Sequence, residues 1–384
     1  MILHFDSACK SFYAQFFNYT KQTVTSQTVM KAQPKNTKNE TPDDRAGIPR
    51  RATGRPQMSD VAALARVSAS TVSRALRRPD AVSSALRSRI DAAIDRLGYV
   101  PNVMAGGLAA SRTPVIGVIV PSLSNSFFAA TIEAMDAAFA PEGYQIMLGN
   151  SGYSLEREAA LLDSFLSWSP SAIVLTGRHH ARSALKRLAS SDVPLVEMWE
   201  IGDHTLDTAV GFSHRTVGQM AAHHLYARGK TCIAFIGGAL SHDHRAKERG
   251  AGFFDAVAAT GRHHAIKHII DGRASVEVGG AALAALLKAH PKVDGVFFSN
   301  DALMLGALFE CQRRGIKVPQ QLALLGFGDL DFTAWSAPTL STIRPPRHEI
   351  GIEVANYLLR RFADPTLSGT TIDLGCQLLQ RQST

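Results

Sequence analysis

From residue 114 onward, short apolar runs alternate with longer stretches of helical periodicity. The runs are VIGVIV (115–120), YQIML (144–148), AIVLT (172–176), PLVEM (194–198), CIAFIG (232–237), GVFFS (295–299) and LALLGF (322–327). Strands that are apolar on both faces and alternate with helices form parallel sheets covered by helices on both sides. Because about 270 residues exceed what one such sheet usually holds, we expect two α/β lobes with a cleft between them.

The positive charge of the chain is concentrated before residue 113. The net charge is +8, and residues 1–112 contain 17 Lys and Arg against 8 Asp and Glu, whereas residues 113–384 contain 24 against 25. This distribution indicates that the first part alone contacts a polyanion. We interpret residues 1–55 as a disordered basic arm, because large apolar residues are almost absent from 21–57. The arm either aids DNA capture or is an inert extension.

The region after the arm contains three helix-length patterns separated by short breaks. We expect Ser59 to cap the first helix and Ser68 to cap the second. The third carries an apolar stripe from Leu86 to Leu97 and should end at Gly98. The sequence therefore predicts a small all-α domain at 56–101.

The second of these helices, SASTVSRAL, has an apolar inner face with Val72 and Leu76. Its outer residues are small, hydroxyl-bearing or basic, namely Ala69, Ser70, Ser73, Arg74 and Arg77, with Thr71 beside them. Small residues let a helix approach a DNA groove, while hydroxyls and arginines donate hydrogen bonds to phosphates and base edges. The pattern predicts a helix-turn-helix that reads the major groove. A surface helix pair with solvated arginines is the alternative.

The stretch MSDVAALARVSASTVSRALRRPDAVSSALRSRIDAAIDRLGYVPN resembles the DNA-binding domain of the lac/galactose repressor family. The resemblance implies that Ala69, Ser70 and Arg74 read bases. It implies further DNA contacts from Ser59, Ser68, Thr71, Ser73, Arg77 and Asn102. One departure is Arg66, which stands where the family usually has glycine in the turn.

The segment after Pro101, NVMAGGLAAS, resembles the hinge helix of the same family, and we place a hinge at 102–113. The resemblance implies that this helix folds on operator DNA and that Leu108 wedges into the minor groove. Gly106 and Gly107 depart from the family pattern and weaken the helix, since each costs about 1 kcal/mol relative to alanine.

Residues 114–384 are similar to the family's effector domain, a two-lobed periplasmic-binding-protein-like α/β fold. VIGVIVPSLSNSFFAATIEAMDAAF matches its first strand and helix. The resemblance implies effector contacts from Asn125, Phe127 and Phe128 in the intervening loop. We expect one of the two phenylalanines to be core instead.

Further effector contacts follow from RAKERGAGFFDAV and FFSNDALMLGA, which match family elements that bind effectors. The resemblance implies that the effector contacts Arg249, Asn300, Asp301 and Asp329. Gly328 replaces a family aspartate, and the loss of a carboxylate beside Arg249 favours an anionic ligand. Arg178 either adds positive charge to the cleft or lies in a solvated loop.

A finer resemblance connects the chain to gluconate repressors within the family. It rests on GYQIMLGNSGY, LDSFLSW, LDTAVGF, DGVFFSNDALMLGALFECQRRGIKVP and IDLG. The resemblance implies a homodimer or a tetramer that binds palindromic double-stranded operator DNA and is released by gluconate or a close sugar acid. The absence of a C-terminal heptad run favours the dimer. An activator, or a regulator that needs its ligand to bind DNA, stays open.

Other classes of protein are less compatible with the sequence. No GxGxxG, P-loop or GxSxG motif marks an enzyme, and we expect no cofactor. The four cysteines form no CxxC pair, and the histidine pairs, including His179–His180 and His223–His224, are interpreted as surface residues and not as metal ligands. A solute-binding protein would need export, but the start resembles no secretory signal. Without a membrane-length apolar run, we expect no membrane partner and a cytoplasmic location.

Overall fold

The computed structural model describes residues 55–101, 112–123, 127–238, 243–261 and 265–384. The chain divides after Pro101 into a small N-terminal unit and a large C-terminal unit. Almost all of the arm predicted at 1–55, and most of the hinge predicted at 102–113, lie outside the described residues. Both therefore stay predictions.

Three helices around a small apolar core form the N-terminal unit. They are α1 (Met58–Leu64), α2 (Ala69–Arg77) and α3 (Ser84–Leu97), with a 3-10 turn at Pro79–Ala81. Val61, Val72 and Ile90 contribute one fully buried side chain from each helix to this core. Gly98 ends α3 as predicted, in a left-handed conformation with φ of +58°.

The ends of α1 and α2 test the predicted caps. Ser68 caps α2 as expected, since its Oγ accepts a hydrogen bond of 3.2 Å from the Thr71 N–H. The prediction that Ser59 caps α1 is wrong, because α1 begins one residue earlier, directly after Gln57. Arg66 adopts a left-handed φ of +55° in the turn between the helices. The turn therefore forms without the glycine that this backbone conformation favours.

Two α/β lobes, each with a six-stranded sheet, form the C-terminal unit. Its strands are β1 (Thr113–Val120), β2 (Gln145–Asn150), β3 (Pro170–Thr176), β4 (Leu195–Met198), β5 (Thr208–Gly211), β6 (Ile233–Gly238), β7 (Ala265–Ile270), β8 (Gly295–Phe298), β9 (Ala323–Phe327), β10 (Ser341–Arg344), β11 (Thr371–Asp373) and β12 (Gln377–Leu379). Its helices are α4 (Ala129–Phe139), α5 (Leu155–Leu166), α6 (Arg182–Ala189), α7 (His214–Ala227), α8 (His244–Ala259), α9 (Val276–Ala289), α10 (Asp301–Arg314), α11 (Phe332–Trp335) and α12 (Arg347–Ala363), with a 3-10 turn at Ala140–Glu142.

The strand order defines the lobes. The first lobe has the order β11-β5-β4-β3-β1-β2 and is parallel throughout. The second has the order β12-β10-β9-β8-β6-β7 and is parallel except for β12. The chain passes between the sheets after β5, after β10 and after β11. Within the described residues, no helix is long and apolar enough to cross a bilayer.

All seven predicted apolar runs form strands, within two residues of the predicted ends. The sequence did not predict β5, β7, β10, β11 and β12. Four of these are only three or four residues long. The fifth, β7, lies at a sheet edge and carries the polar residues Lys267 and His268. Short or polar edge strands lack the continuous apolar run that marks a buried strand.

A carboxylate after β9 connects three segments of the second lobe. Asp329 Oδ2 accepts a hydrogen bond of 2.7 Å from Arg344 Nε, and Oδ1 accepts one of 2.7 Å from Arg381 Nη2. Thr333 Oγ1 also donates to Oδ1 at 3.1 Å. Burial raises the pKa of Asp329, but the two arginines outweigh it and hold the pKa below its usual range. These partners engage both oxygens of Asp329, and its predicted contact with the effector stays a prediction.

A buried histidine lies between two glutamates in the first lobe. His180 Nδ1 lies 2.7 Å from Glu158 Oε1, and its Nε2 lies 3.4 Å from Glu197 Oε1. Burial lowers the pKa of His180, but the two glutamates outweigh burial and raise the pKa to about 9. The prediction that the paired histidines are surface residues is therefore wrong for His180 and also for the buried His224. No group of three or more potential metal ligands occurs in the described part of the chain.

Asp329→Asn should lower the free energy of unfolding by about 2–3 kcal/mol, because asparagine retains the shape of aspartate but not the charge that accepts hydrogen bonds from two arginines. Urea unfolding measures this difference. The control is Asp331→Asn, which changes an exposed acid two residues away and should shift stability by less than about 0.5 kcal/mol. Equal effects of the two substitutions would contradict the assignment.

Stability should fall in the alkaline range, and His180 should cause part of the fall. Its pKa rises from 6.5 to about 9 on folding, so its contribution is complete below pH 6.5 and disappears as the pH rises through 9. Unfolding midpoints between pH 6 and pH 10 should decline less for His180→Asn than for the wild type. The exposed His348 provides the control His348→Asn, which should retain the wild-type slope.

Candidate DNA-binding face and effector cavity

One face of α2 carries most of the residues predicted to contact DNA. Ala69, Ser70 and Arg74 are exposed, whereas Thr71 and Ser73 are partly buried. The hydroxyl of Ser68 lies 2.8 Å from those of Ser70 and Thr71, so the start of α2 is a connected hydroxyl cluster. Ser59 is exposed in the first turn of α1. Outside the described residues lie Asn102, Leu108 and the side chain of Arg77.

The face of α2 has the chemistry of a groove-reading surface. Val72 and Ala75 are buried on the opposite side, so the core fixes which side of the helix is exposed. Ala69 and Ser70 add little bulk, which permits close approach to a groove. Arg74 provides a planar fork of donors that matches the edge of guanine.

The large unit encloses a cavity of about 380 Å³ between its two lobes. Residues at the carboxyl ends of strands line it, for example Ser122 after β1, Trp199 after β4 and Ser299 after β8. Ligands of open α/β sheets bind outside the carboxyl ends of the strands. The volume is within the range of small-molecule sites.

Five of the eight predicted effector contacts line this cavity. They are Phe127, Phe128, Arg249, Asn300 and Asp301. Asn125 lies outside the described residues. Asp329 does not line the cavity, and neither does Arg178, whose Nε donates to the His204 carbonyl at 3.1 Å. The guanidinium of Arg178 is thus directed to a loop of the first lobe, and its predicted contact with the effector stays a prediction.

An aromatic cluster forms the floor of the cavity. The ring of Phe127 lies 4.8 Å from that of Trp199 and 5.8 Å from that of Phe327, measured between centroids. Trp199 belongs to the first lobe and Phe327 to the second, so both lobes build the floor. Phe128 is only 3 % exposed and packs on Trp199 at 4.9 Å. It is the core phenylalanine of the predicted pair.

Arg249 is a buried cation at this floor. Its Nη1 lies 2.9 Å from His214 Nδ1, and its Nη2 donates to the Ser299 carbonyl at 2.9 Å. Its guanidinium carbon lies 4.2 Å from the centroid of Phe327. Burial, more than its neighbours, lowers the pKa of Arg249 to about 10. Among the described residues, no carboxylate forms an ion pair with it within 4.0 Å.

Close packing of two helices positions Arg249. A Cβ on Gly218 of α7 would lie 2.0 Å from the Arg249 carbonyl oxygen, and one on Gly252 of α8 would lie 1.9 Å from the Arg215 carbonyl oxygen. Only glycine permits this approach of the two backbones. The contact brings His214, at the start of α7, within reach of Arg249 on α8.

Polar groups on the opposite wall come from the start of α10. Asn300 caps this helix by accepting a hydrogen bond of 3.1 Å from the Leu303 N–H. Asp301 is fully buried and accepts hydrogen bonds from Thr342 Oγ1 at 2.7 Å and the Leu330 N–H at 2.9 Å. Burial outweighs these contacts and raises the pKa of Asp301 to about 6.

Two arginines connect the lobes at the cavity rim. Arg245 Nη1 donates to the Thr176 carbonyl at 3.2 Å, and Arg273 Nη2 donates to the Gly152 carbonyl at 3.4 Å. Both arginines belong to the second lobe and both acceptors to the first. These two hydrogen bonds span the cleft between the lobes.

Trp199 and His214 are among the cavity-lining residues that sequence reasoning missed. Trp199 has a left-handed φ of +71°, which no sequence pattern marks. His214 belongs to no histidine pair or recognised motif, and its position is that of an ordinary residue at the start of a helix. Its only signal was its place after LDTAVGF.

Comparisons with known proteins agree with this architecture. The family described as "Periplasmic binding proteins and sugar binding domain of LacI family" matches residues 113–381, and "Bacterial regulatory proteins, lacI family" matches residues 57–102. The HTH-type transcriptional regulator GntR of Pseudomonas aeruginosa is 40% identical over 335 residues, which are 87% of this chain and 97% of that protein.

Solved structures show the same fold. A LacI-family transcriptional regulator from Silicibacter pomeroyi superposes with a TM-score of 0.80 at 32% identity, covering 85% of this chain and 99% of that one. A lac repressor dimer bound to operator and an anti-inducer superposes with a TM-score of 0.75 at 23% identity, covering 86% and 99%. These relatives are regulators and not enzymes. The chain belongs to the lacI family of DNA-binding transcriptional regulators.

Proposed function

We propose that this regulator is a homodimeric repressor that leaves a palindromic operator when a sugar acid such as gluconate binds between its lobes. A cytoplasmic location follows from action on DNA. The observation that carries the effector class is Arg249, a buried cation in the cavity that no carboxylate of the described chain neutralises within 4.0 Å. A buried charge is stable only when it is paired or well hydrogen-bonded, so an anionic ligand would complete the site.

The charges around the cavity favour the same ligand class. Arg245, Arg249 and Arg273 line it, against Asp243 and Asp301. Asp301 has its carboxylate engaged by Thr342 and Leu330, so three arginines face two acids of which one is already hydrogen-bonded within the protein. The balance of the cavity is therefore positive, as an acid ligand requires.

Glycine at position 328 supports the anionic ligand in a second way. Gly328 has a φ of +133°, and a Cβ there would lie 2.8 Å from Phe127 Cε2 and 3.3 Å from an Asp301 oxygen. A family aspartate at this position would add a second carboxylate next to Asp301. Its absence leaves Asn300 and Asp301, both of which accept hydrogen bonds within the protein, as the polar side chains of this wall.

The DNA-binding part of the proposal assigns base reading to Ala69, Ser70 and Arg74. Phosphate contacts are assigned to Ser59, Ser68, Thr71, Ser73, Arg77 and Asn102, and minor-groove insertion to Leu108. A dimer would place two such heads on a two-fold symmetric operator. The lac repressor dimer that shares the fold is bound to operator, which supports this arrangement.

Effector binding would act through closure of the cleft. A ligand that bridges the lobes adds to the rim contacts of Arg245 and Arg273 and so stabilises closure. Closure in each subunit would change how the hinges at 102–113 present the two heads. Couplings between sites in such proteins are typically about 1–3 kcal/mol, or about 5- to 150-fold in DNA affinity.

Gluconate should release the protein from a palindromic operator taken from its own or neighbouring upstream regions, measured by fluorescence anisotropy at fixed salt. Arg249→Met should bind the operator normally but require at least about 30-fold more gluconate, since truncating one partner of a buried charge pair costs about 2 kcal/mol or more. The control is Arg360→Met on α12, an exposed site outside the cavity.

Other outcomes of this titration are equally informative. Tighter operator binding with gluconate would make the ligand a corepressor. Operator binding that ignores gluconate would leave the DNA-binding assignment intact and overturn the effector class.

Arg74→Ala should relax base preference at one position in each half-site and weaken binding there by about 1–3 kcal/mol. Anisotropy with operators changed one base pair at a time measures the preference. The control is Arg89→Ala on α3, which should not alter the preference at that position. An unchanged base profile for Arg74→Ala would remove Arg74 from base readout.

A further inference from the structure

We infer that Trp199, His214 and Arg249 form a donor-only cradle for the carboxylate of the effector, and that Trp199 and His214 thereby select an acid over the corresponding neutral polyol. The inference rests on the proposed function and deepens it. All three residues line the cavity, and each is at most 5 % exposed.

The contact between Arg249 and His214 determines the tautomer of the histidine. A guanidinium can only donate hydrogen bonds, so His214 Nδ1, 2.9 Å from Arg249 Nη1, is the acceptor. The ring proton is then on Nε2. Burial and the nearby Arg249 and Arg245 lower the pKa of His214 well below its usual range, which is consistent with a neutral ring.

The Nε2 donor of His214 has no satisfactory acceptor within the described chain. Its nitrogen is buried and has no hydrogen-bond partner there. The Trp199 carbonyl lies near the ring, but no hydrogen bond of acceptable geometry joins them. A buried donor without a partner costs free energy, and an acceptor from a ligand would recover it.

Trp199 supplies a second donor of the same kind. Its side chain is 1 % exposed, and its Nε1 has no partner among the described residues. Its backbone has a φ of +71°, and a Cβ on Gly211 would lie 2.8 Å from the Trp199 carbonyl carbon. Strained backbone persists where its surroundings impose it and is frequent at ligand sites.

The third donor is Arg249 Nε, which is also buried and unpartnered in the described chain. The three orphan groups are thus all N–H donors, and the rings around them, Phe127, Phe128, Phe212 and Phe327, offer no acceptor atom. An ionised carboxylate is acceptor-only and has about four lone-pair positions on two oxygens. A ligand hydroxyl at this position would add a further O–H donor that has no acceptor among these three groups. The hydroxyl chain of the ligand would then extend toward Asn300 and Asp301.

Gluconate and glucitol test the inference, because they share a six-carbon hydroxyl chain and differ in the carboxylate. Calorimetry on the full chain should show a preference of the wild type for gluconate. Trp199→Phe keeps an aromatic ring and removes the N–H, and it should weaken gluconate binding about tenfold or more while glucitol changes less than about twofold. His214→Phe, which also removes the acceptor for Arg249, should reduce the preference further.

The matched control is Tyr357→Phe, which removes a buried hydroxyl that also has no partner among the described residues but lies outside the cavity. It should leave both affinities unchanged. Because both ligands are measured on the same protein sample, a partly unfolded variant does not distort their ratio. A ratio unchanged in Trp199→Phe, or equal losses for both ligands, would overturn the cradle.

Tryptophan fluorescence provides an independent readout, since the chain has three tryptophans. Trp168 and Trp335 are 49 % and 87 % exposed, whereas Trp199 is buried at the cavity. A gluconate-induced emission change should persist in Trp168→Phe and Trp335→Phe and disappear in Trp199→Phe. Persistence of the change in Trp199→Phe would count against the cradle.

The two levels of the proposal fail differently. A wild type without preference for gluconate over glucitol would overturn the sugar-acid effector and the cradle together. A wild type that prefers gluconate, with variants that keep this preference, would overturn only the cradle.

Discussion

The burial of Arg249 between the two lobes is the constraint on which the ligand site depends. A guanidinium removed from water needs compensating contacts, and here it has a histidine nitrogen, a backbone carbonyl and the face of Phe327. The aromatic floor that excludes water comes from both lobes, so the same residues that desolvate the cation also hold the cleft together. Position and charge of the site are therefore consequences of how the two sheets pack.

The chain uses positive charge in two opposite physical settings. In the N-terminal unit, Arg74 is exposed and solvated, and the excess charge of that end suits a long polyanion such as DNA. In the cavity, Arg249 is buried at a site of limited volume, which suits one small anion. The net charge beyond residue 112 is close to zero, so composition does not reveal this second use.

Neighbouring carboxylates likewise have separate tasks. Asp329 is held by Arg344 and Arg381 and stabilises the second lobe. Asp301 is buried at the cavity with its pKa raised, and Gly328 keeps a further carboxylate away from it. The family resemblance implied one shared site for Asp301 and Asp329, since both follow strands of the second lobe. Only the hydrogen-bond partners distinguish them.

The sequence alone determined the helix-turn-helix, seven of the strands and the two-lobed class, because apolar periodicity and turn signals are local properties, and its resemblance to a known family implied five residues of the cavity. The tertiary structure decided that Arg178 faces a loop, that His180 is buried, and that Trp199 and His214 join Arg249 at the cavity floor. These facts depend on contacts between segments distant in the chain and on a backbone angle at Trp199. No local pattern contains such information, since side-chain direction follows from the packing of the two lobes.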